Sequence, residues 1–324
     1  MRKKISIGII GVDFEYDDIT FEKFINAFPQ YEILHNDVFI HIVYKSGCTT
    51  SELIECDECN IDIDPVVIKG YRALPTGDVI YLHSGLILER NFLEKRLVII
   101  NQKFSLECDI SGFIETFIAN VLYNFGCIAI HGAALVYEGD GVAILGKSGS
   151  GKSTTMIQLL EQATGILAND FFCLDLSNSE MWSLDRTIGV RKSNSLYVQD
   201  QLEKWDINSK IHEFEQSYYD LERLEKLNYI KRAQLKKIVF CNVGNNKHGY
   251  ILKKIMGIEL FQCILENFIH LSPRYNKVNY YELFRVLEQK FEFYKLELPN
   301  FQMSLIIEDN IFNNDFLRKL IAGE

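Results

Sequence analysis

The sequence predicts an α/β protein in two parts: a C-terminal domain with a mixed sheet around a phosphate-binding loop (P-loop), and a smaller α+β domain before it. A glycine-rich loop at 146–154 follows the apolar run Val142–Leu145 and precedes a stretch whose apolar residues recur at helical spacing. Strand-like runs and a short helical pattern fill residues 1–108. We therefore place the domain boundary near residue 108, with the P-loop domain over 109–324.

Apolar runs of strand length predict the sheet of the N-terminal domain, at Ile5–Ile10, Val38–Tyr44, Val66–Ile68, Val79–Leu82 and Leu97–Ile100. A helix is predicted at Thr20–Ala27. A second helix is predicted over Ser111–Tyr123, where the apolar spacing is helical and Gly126 is placed to end it. This helix would lead into the strand before His131 and could pack between the two domains.

Further elements are predicted after the loop. Strands are expected at Ile166–Leu176, in a hairpin-like stretch Trp182–Val190, at Leu235–Val243 and, as an edge strand, at Phe293–Leu298. Helices are expected at Ile258–His270 and Tyr280–Lys290. The polar stretch Gln199–Arg232 has a mostly helical composition, Tyr218–Arg232 especially, and would cover the active site, bind the acceptor or form an ordinary surface helix.

The loop itself predicts a nucleotide site, because glycines let backbone N–H groups turn inward around a phosphate at the start of a helix. Lys152 would neutralise the β- and γ-phosphates of ATP, and the Ser153 hydroxyl would bind Mg²⁺. The residues expected to contact the nucleotide are Gly146, Ser148, Gly149, Ser150, Gly151, Lys152, Ser153 and Thr154.

The sequence argues against two large classes of P-loop protein, because it lacks their signature motifs. Transporter-type ATPases carry a Leu-Ser-Gly-Gly-Gln-like signature, and GTP-binding proteins carry an Asn-Lys-x-Asp run for the guanine base; neither is present. Instead, an acidic residue, Asp170, follows the loop closely at a polar break in an apolar stretch. That position is typical of a strand end facing Mg²⁺.

Together these motifs resemble those of a known family. The block Ile130–Val136 (Ile-His-Gly-Ala-Ala-Leu-Val), the loop with its helix, and Ala168-Asn-Asp170 are similar to the HPr kinase/phosphorylase-like P-loop serine kinases, whose catalytic domain is related to phosphoenolpyruvate carboxykinase. The resemblance is clear over residues 127–195. It implies that His131 packs against the acidic pair, and that the acidic pair binds metal and activates the acceptor hydroxyl.

The chain departs from the family pattern at two points. The family's first acidic residue is usually aspartate, whereas Asn169 stands here, and an amide cannot take a proton near neutral pH. Asp170 would then hold both roles, or Asp175 would contribute, although strict alternation puts Asp175 on the opposite face and favours a structural role. The glycine-rich signature of the reverse, phosphorylase reaction is missing, which favours kinase activity alone.

Alternatives stay open for the other candidate residues. His131 is either a satisfied core histidine or a catalytic partner of Asp170. Arg191 could stabilise charge on the transferring phosphoryl group, or lie in a solvated basic loop. We assign no role to Lys147. Cys56 and Cys59 have the spacing of metal ligands. A four-ligand zinc site would also need Cys48 as the third ligand and His35 or His41 as the fourth.

Composition limits the class of protein. A net charge of −10 argues against a nucleic-acid partner. No window reaches the roughly 18 apolar residues of a membrane span, and the apolar run after Met1 is too short for a secretory signal. Scattered cysteines fit a reducing compartment, so we expect a cytoplasmic protein. The family resemblance makes a homo-oligomer plausible.

The leading hypothesis is an ATP-dependent kinase that phosphorylates a serine hydroxyl of a protein or peptide, including a ribosomally made peptide precursor, with the N-terminal domain recognising that partner. Catalytic roles fall to Asp170, His131, Lys152 and Arg191, and Mg²⁺ binding to Ser153 and Asp170. A kinase for a small hydroxyl compound such as free serine is one alternative. A catalytically inactive nucleotide-binding regulatory module is another, and Asn169 keeps it open.

Overall fold

A computed structural model describes residues 1–7, 10–26, 28–29, 38–47, 68–102, 110–191, 210–213, 216–223, 228–244, 249–267, 279–299 and 311–323. The chain forms two compact units. The first comprises Met1–Cys127 with 270–278, and the second comprises Ile128–Ile269 with Asn279–Glu324. Within the described residues, no helix is long and apolar enough to cross a membrane.

The first unit is built on a seven-stranded sheet in the order β1-β2-β3-β7-β6-β5-β4. Its strands are β1 (Arg2–Ile7), β2 (Ile10–Tyr16), β3 (Val38–Ser46), β4 (Ile68–Ala73), β5 (Gly77–Leu82), β6 (Leu86–Asn91) and β7 (Arg96–Asn101). The pairs β2–β3 and β3–β7 are parallel and the others antiparallel. A short helix α1 (Glu22–Ile25), extending a 3₁₀ turn at Ile19–Phe21, contributes to a buried aromatic core in which Phe21 stacks on Tyr44.

Most predicted elements of this unit are present, with differences in extent. The predicted strand Ile5–Ile10 corresponds to β1 and the start of β2, and β6 and most of β2 and β4 were not predicted. Helix α2 (Ser111–Tyr123) has its predicted bounds and belongs to the first compact unit. Whether residues 1–108 form a domain of their own stays a prediction.

The second unit has a central parallel trio of strands, β9 (Asp140–Leu145), β16 (Arg232–Val243) and β18 (Glu292–Leu298), with β16 in the middle. Strand β8 (Cys127–Tyr137) runs antiparallel beside β9, and β17 (Ile251–Lys254) runs antiparallel beside β18. The remaining strands of this sheet are β10 (Gly165–Ala168), β11 (Phe171–Asp175) and β12 (Glu180–Ser183). A separate three-stranded sheet contains β13 (Thr187–Arg191), β14 (Lys210–Glu213) and β15 (Gln216–Asp220).

Helices cover the central trio. Helix α3 (Lys152–Leu159) and helix α6 (Phe316–Ala322) share one apolar core with alternate residues of β9, β16 and β18. The crossover from β16 to β18 carries α4 (Gly257–Asn267) and α5 (Tyr280–Lys290), which meet through an edge-to-face contact of Phe261 and Phe284. This mixed sheet with a P-loop between a strand and a helix confirms the predicted fold class.

Three predictions for this unit are wrong. The stretch Trp182–Val190 is not a hairpin, because β12 pairs with β11 and β16 whereas β13 pairs with β15 in the separate sheet. The described part of Tyr218–Arg232, which leaves out residues 224–227, is not mainly helical, because Gln216–Asp220 forms β15 and pairs along its length with β13. Tyrosines suit such a paired strand, and the pairing outweighs the helical composition around them. Phe293–Leu298 is a strand but not an edge strand, since it lies between β16 and β17. Residues 199–209 of the predicted helical stretch lie outside the described residues.

Candidate active site around the P-loop

The P-loop leaves β9 after Leu145 and enters α3 at Lys152. Its glycines are needed at two positions. Gly146 has φ 156°, and a Cβ there would lie 2.6 Å from the Cys241 carbonyl oxygen and would clash with Ser150 Oγ. Gly151 caps α3 with φ 92°, and a Cβ there would lie 2.5 Å from a Leu298 methyl group. A side chain at either position would push the loop off the strand ends.

Lys152 lies beneath the loop. Its side chain is buried, and its ammonium donates to the carbonyl oxygens of Gly146 at 2.6 Å and Lys147 at 3.3 Å. Phosphate oxygens are stronger acceptors for an ammonium than peptide carbonyls. Ser148 and Gly149 are exposed, whereas Ser153 and Thr154 are half-buried in the first turn of α3. The predicted nucleotide-contacting residues thus form one continuous turn.

His131 and Asp170 lie on the β8 side of this loop. Gly132 pairs with Leu145, so His131 stands level with the first loop residue, and the Gly132 N–H donates to the Asp170 carbonyl oxygen at 3.0 Å. Partial desolvation of the ring, and then the positive charge of Lys152, lower the pKa of His131. The negative charge of Asp170 acts in the opposite direction and raises it. The ring still reaches solvent on one side. The structure therefore brings together Lys152, His131 and Asp170, three residues that the sequence predicted to be catalytic.

Asn169 is completely buried, and its side chain points at its neighbour. The Asn169 Nδ2 donates to Asp170 Oδ2 at 2.7 Å, which orients that carboxylate. The Oδ1 of the same amide has no hydrogen-bond partner in the described part of the chain. The residue that replaces the family's usual aspartate is thus a hydrogen-bond donor to Asp170.

Asp185 completes the site and was missed by the sequence reasoning. It is buried behind Asp170, and its Oδ2 accepts from the backbone N–H groups of Asp170 at 3.0 Å and Phe171 at 2.8 Å. Burial, and then the charge of Asp170, raise the pKa of Asp185 well above its usual range. The only signal in the sequence was its place after an apolar run, Met181–Leu184.

Two of the remaining candidate residues have partners of their own. Asp175 ends β11 and accepts from the backbone N–H of Ser177 at 2.7 Å, which is the structural role favoured from the sequence. Arg191 is the last residue of β13, and its side chain lies outside what the structure describes. Lys147 is exposed and forms an ion pair with Glu266 at 3.1 Å.

No group of three or more histidine, cysteine or acidic side chains that could hold a metal occurs among the residues described. The cysteines of the zinc hypothesis (Cys48, Cys56 and Cys59) lie outside that set, so it stays a prediction. A Mg²⁺ ion is still compatible with this site. It needs one or two protein oxygens beside phosphate and water, and Ser153 and Asp170 supply a hydroxyl and a carboxylate.

Comparison with known proteins finds a curated relative and a solved structure that are similar to this chain. No protein-family model matches the chain. A curated relative, HPr kinase/phosphorylase of Malacoplasma penetrans (strain HF-2), is 25% identical over 248 residues, which cover 70% of this chain and 76% of the relative. The HPr(Ser) kinase/phosphatase structure from Coxiella burnetii aligns over 60% of this chain and 97% of its own, at 11% identity and a TM-score of 0.30. That score is too low to establish a shared fold, so the fold assignment depends on the sheet and P-loop described above. The sequence relative supports the resemblance that the motifs indicated, and the chain is similar in sequence to that HPr kinase/phosphorylase.

Proposed function

We propose that the protein is an ATP-dependent kinase that transfers the γ-phosphoryl group to a serine hydroxyl of a protein or peptide. The observation that carries the proposal is the grouping of Lys152, His131 and Asp170 at one end of the P-loop. Phosphoryl transfer requires mainly positioning and charge stabilisation, so a P-loop lysine with one carboxylate and one neutral imidazole is sufficient.

Each residue has a defined part in this reaction. The loop amides and Lys152 hold the β- and γ-phosphates and stabilise charge on the transferring group. Mg²⁺, held by Ser153 and Asp170, would neutralise the phosphate oxygens. The acceptor hydroxyl oxygen attacks the γ-phosphorus, the bond from that phosphorus to the β-phosphate oxygen breaks, and ADP leaves. The hydroxyl proton passes to Asp170 or to His131.

His131 suits the role of proton acceptor because its pKa is lowered, so the ring is neutral at physiological pH. Asn169 cannot share that role, but its hydrogen bond holds the Asp170 carboxylate in one orientation. The same bond supports a second candidate function, a nucleotide-binding regulatory module without phosphotransfer, since it occupies one lone pair of the carboxylate that would bind metal.

We assign acceptor recognition to the first unit, whose sheet has no part in the P-loop. The proposed setting is the cytoplasm, where the free cysteines of the described chain (Cys127, Cys173, Cys241 and Cys263) would stay reduced. Arg191 is proposed to reach the transferring phosphoryl group. A homo-oligomer is part of the proposal, and light scattering on the purified chain would measure it.

The test is transfer from γ-labelled ATP, with Mg²⁺, into an extract of the host. Lys152→Ala should lower labelling at least about a hundredfold, because it removes the main charge partner of the transferring group. Lys236→Ala, at an exposed lysine of β16 remote from the loop, is the matched control. Label in a discrete polypeptide supports the proposal, and label in a small compound indicates the small-molecule alternative. ATP binding without any labelled product in the extract would favour the regulatory module.

A further inference from the structure

A cavity of about 500 Å³ opens beside the P-loop within the second unit. It is lined by the loop residues Lys147 and Ser150, by the last residues of β16, by Lys295 of β18 and by one face of α4. Its volume falls in the range of small-molecule sites. None of the residues discussed above as catalytic contributes to its walls.

The cavity and the catalytic cluster lie on opposite sides of the loop. Strand β9 pairs with β8 on one side and with β16 on the other. His131 and Asp170 stand on the β8 side, whereas the cavity opens over the ends of β16 and β18. A nucleotide whose γ-phosphate faces His131 therefore extends its remaining atoms away from that cluster, toward the cavity.

Two residues that line the cavity each carry a buried polar atom without a hydrogen-bond partner in the described chain. Ser150, whose side chain is 8% exposed, has an unpartnered Oγ. Asn267, the last residue of α4, donates through Nδ2 to the Cys263 carbonyl oxygen at 2.8 Å, while its buried Oδ1 has no partner. Buried polar groups left in this way cost stability, and a ligand that pairs with them recovers that cost.

The charges around the cavity are balanced. Lys147 pairs with Glu266 at 3.1 Å, and Lys295 contacts Glu259 at 3.5 Å. Equal numbers of ammonium and carboxylate groups produce no net attraction for a phosphate chain. They suit a neutral ligand that carries hydroxyl and amino groups, and Phe240 adds an apolar wall.

We propose that this cavity binds the nucleoside part of ATP and that Asn267 Oδ1 accepts a hydrogen bond from the exocyclic amine of adenine. Because the Nδ2 of Asn267 is committed to Cys263, the amide presents an acceptor to the base. The inference rests on the proposed function, in which the P-loop holds the phosphates of the same molecule. It gives the chain a base-reading residue that no motif in the sequence identifies.

The test compares binding of ATP and of inorganic tripolyphosphate by isothermal titration calorimetry. Cys263→Trp places a large side chain in the cavity and should weaken ATP binding at least about tenfold, to the level of tripolyphosphate, while tripolyphosphate binding stays unchanged. Ile258→Trp, at a position of α4 that is 79% exposed and outside the cavity lining, is the matched control and should bind both ligands as the wild type does.

A second comparison changes the ligand. It is informative even if the Cys263→Trp variant does not fold. Purine riboside triphosphate, which lacks the exocyclic amine, should bind the wild type about tenfold more weakly than ATP does, and Asn267→Ala should bind the two equally. If wild-type protein binds neither ATP nor tripolyphosphate, the proposed function fails and the inference fails with it. If it binds both and Cys263→Trp retains full ATP affinity, or if Asn267→Ala still discriminates between the two nucleotides, the cavity assignment alone is wrong.

Discussion

Replacing Asn169 by aspartate restores the family's usual residue and tests what the asparagine does in this chain. Asn169 is completely buried, and its amide donates to Asp170 Oδ2 at 2.7 Å. A carboxylate at the same position could not donate, and two ionised carboxylates at this separation repel each other strongly. The introduced carboxyl would have to stay protonated to keep the hydrogen bond, so its pKa is expected to lie above its usual range.

The magnitude follows from the contact that is lost. A hydrogen bond to a charged partner contributes about 1.5–3 kcal/mol, and each unit of raised pKa adds about 1.4 kcal/mol to the cost of ionising the group in the folded state. A folded-state pKa above the unfolded value gives stability that is complete at low pH and is lost as pH rises. Asn169→Asp should therefore match the wild type near pH 4 and be about 2–3 kcal/mol less stable at pH 8.

Urea unfolding measured at both pH values provides the assay, with the fluorescence of Trp182, buried in β12, reporting on the second unit. Asn169→Ala removes the donor without adding a titrating group, so its loss of stability relative to the wild type should be the same at pH 4 and pH 8. The reasoning would be refuted by an Asn169→Asp variant as stable as the wild type at pH 8 and more active in phosphotransfer. That outcome would show that the asparagine is a lost base with no positioning role.

Further predictions concern neighbouring groups. Asp185→Asn keeps an oxygen for the two backbone N–H groups and should change stability by less than about 1 kcal/mol, whereas Asp185→Val should cost about 2–4 kcal/mol in urea unfolding, because both groups lose their partner. Because the pKa of His131 is lowered, the phosphotransfer rate should fall on acidification only below pH ~6.5, where the ring gains a proton. A pH–rate profile of His131→Asn should lack this fall. Glu292 is held by Lys237 and Lys254, which lower its pKa to about 2. Glu292→Gln should cost up to about 1 kcal/mol at pH 7, and thermal unfolding curves of variant and wild type should converge as pH falls from about 4.5 toward 2, where the glutamate loses its charge.

The P-loop and its surroundings could be predicted because their chemistry is local in sequence. The strand Val142–Leu145, the glycines and Lys152 follow one another within a few residues, and each requirement is visible as a residue type at a fixed offset. His131 could also be predicted, because the family resemblance includes the block Ile130–Val136 together with the loop. Its position beside Lys152 then followed from the antiparallel pairing of β8 with β9.

Features that depend on distant pairing were not visible in the sequence. The strand Gln216–Asp220 lies in a charged stretch of helical composition, and only its pairing with β13 determines its conformation. The cavity at α4 has walls from four parts of the chain, which no local pattern connects. Asp185 reaches Asp170 because β11 and β12 pair as a hairpin, and a single aspartate after an apolar run carries no signature of that contact.

Asn169 and Asp185 hold Asp170 in position, the single carboxylate at a place where the family that the motifs resemble usually has two. The amide of Asn169 donates to the Asp170 carboxylate, and the carboxyl of Asp185 accepts from the Asp170 backbone N–H. Asn169 adds no negative charge to the site that would receive ATP under the proposed function. In a pair of ionised aspartates, the second carboxylate would supply a base but would also repel the phosphates and require more compensation from the metal. Under the proposed function, phosphoryl transfer would therefore depend on the orientation of the Asp170 carboxylate and on the neutral ring of His131.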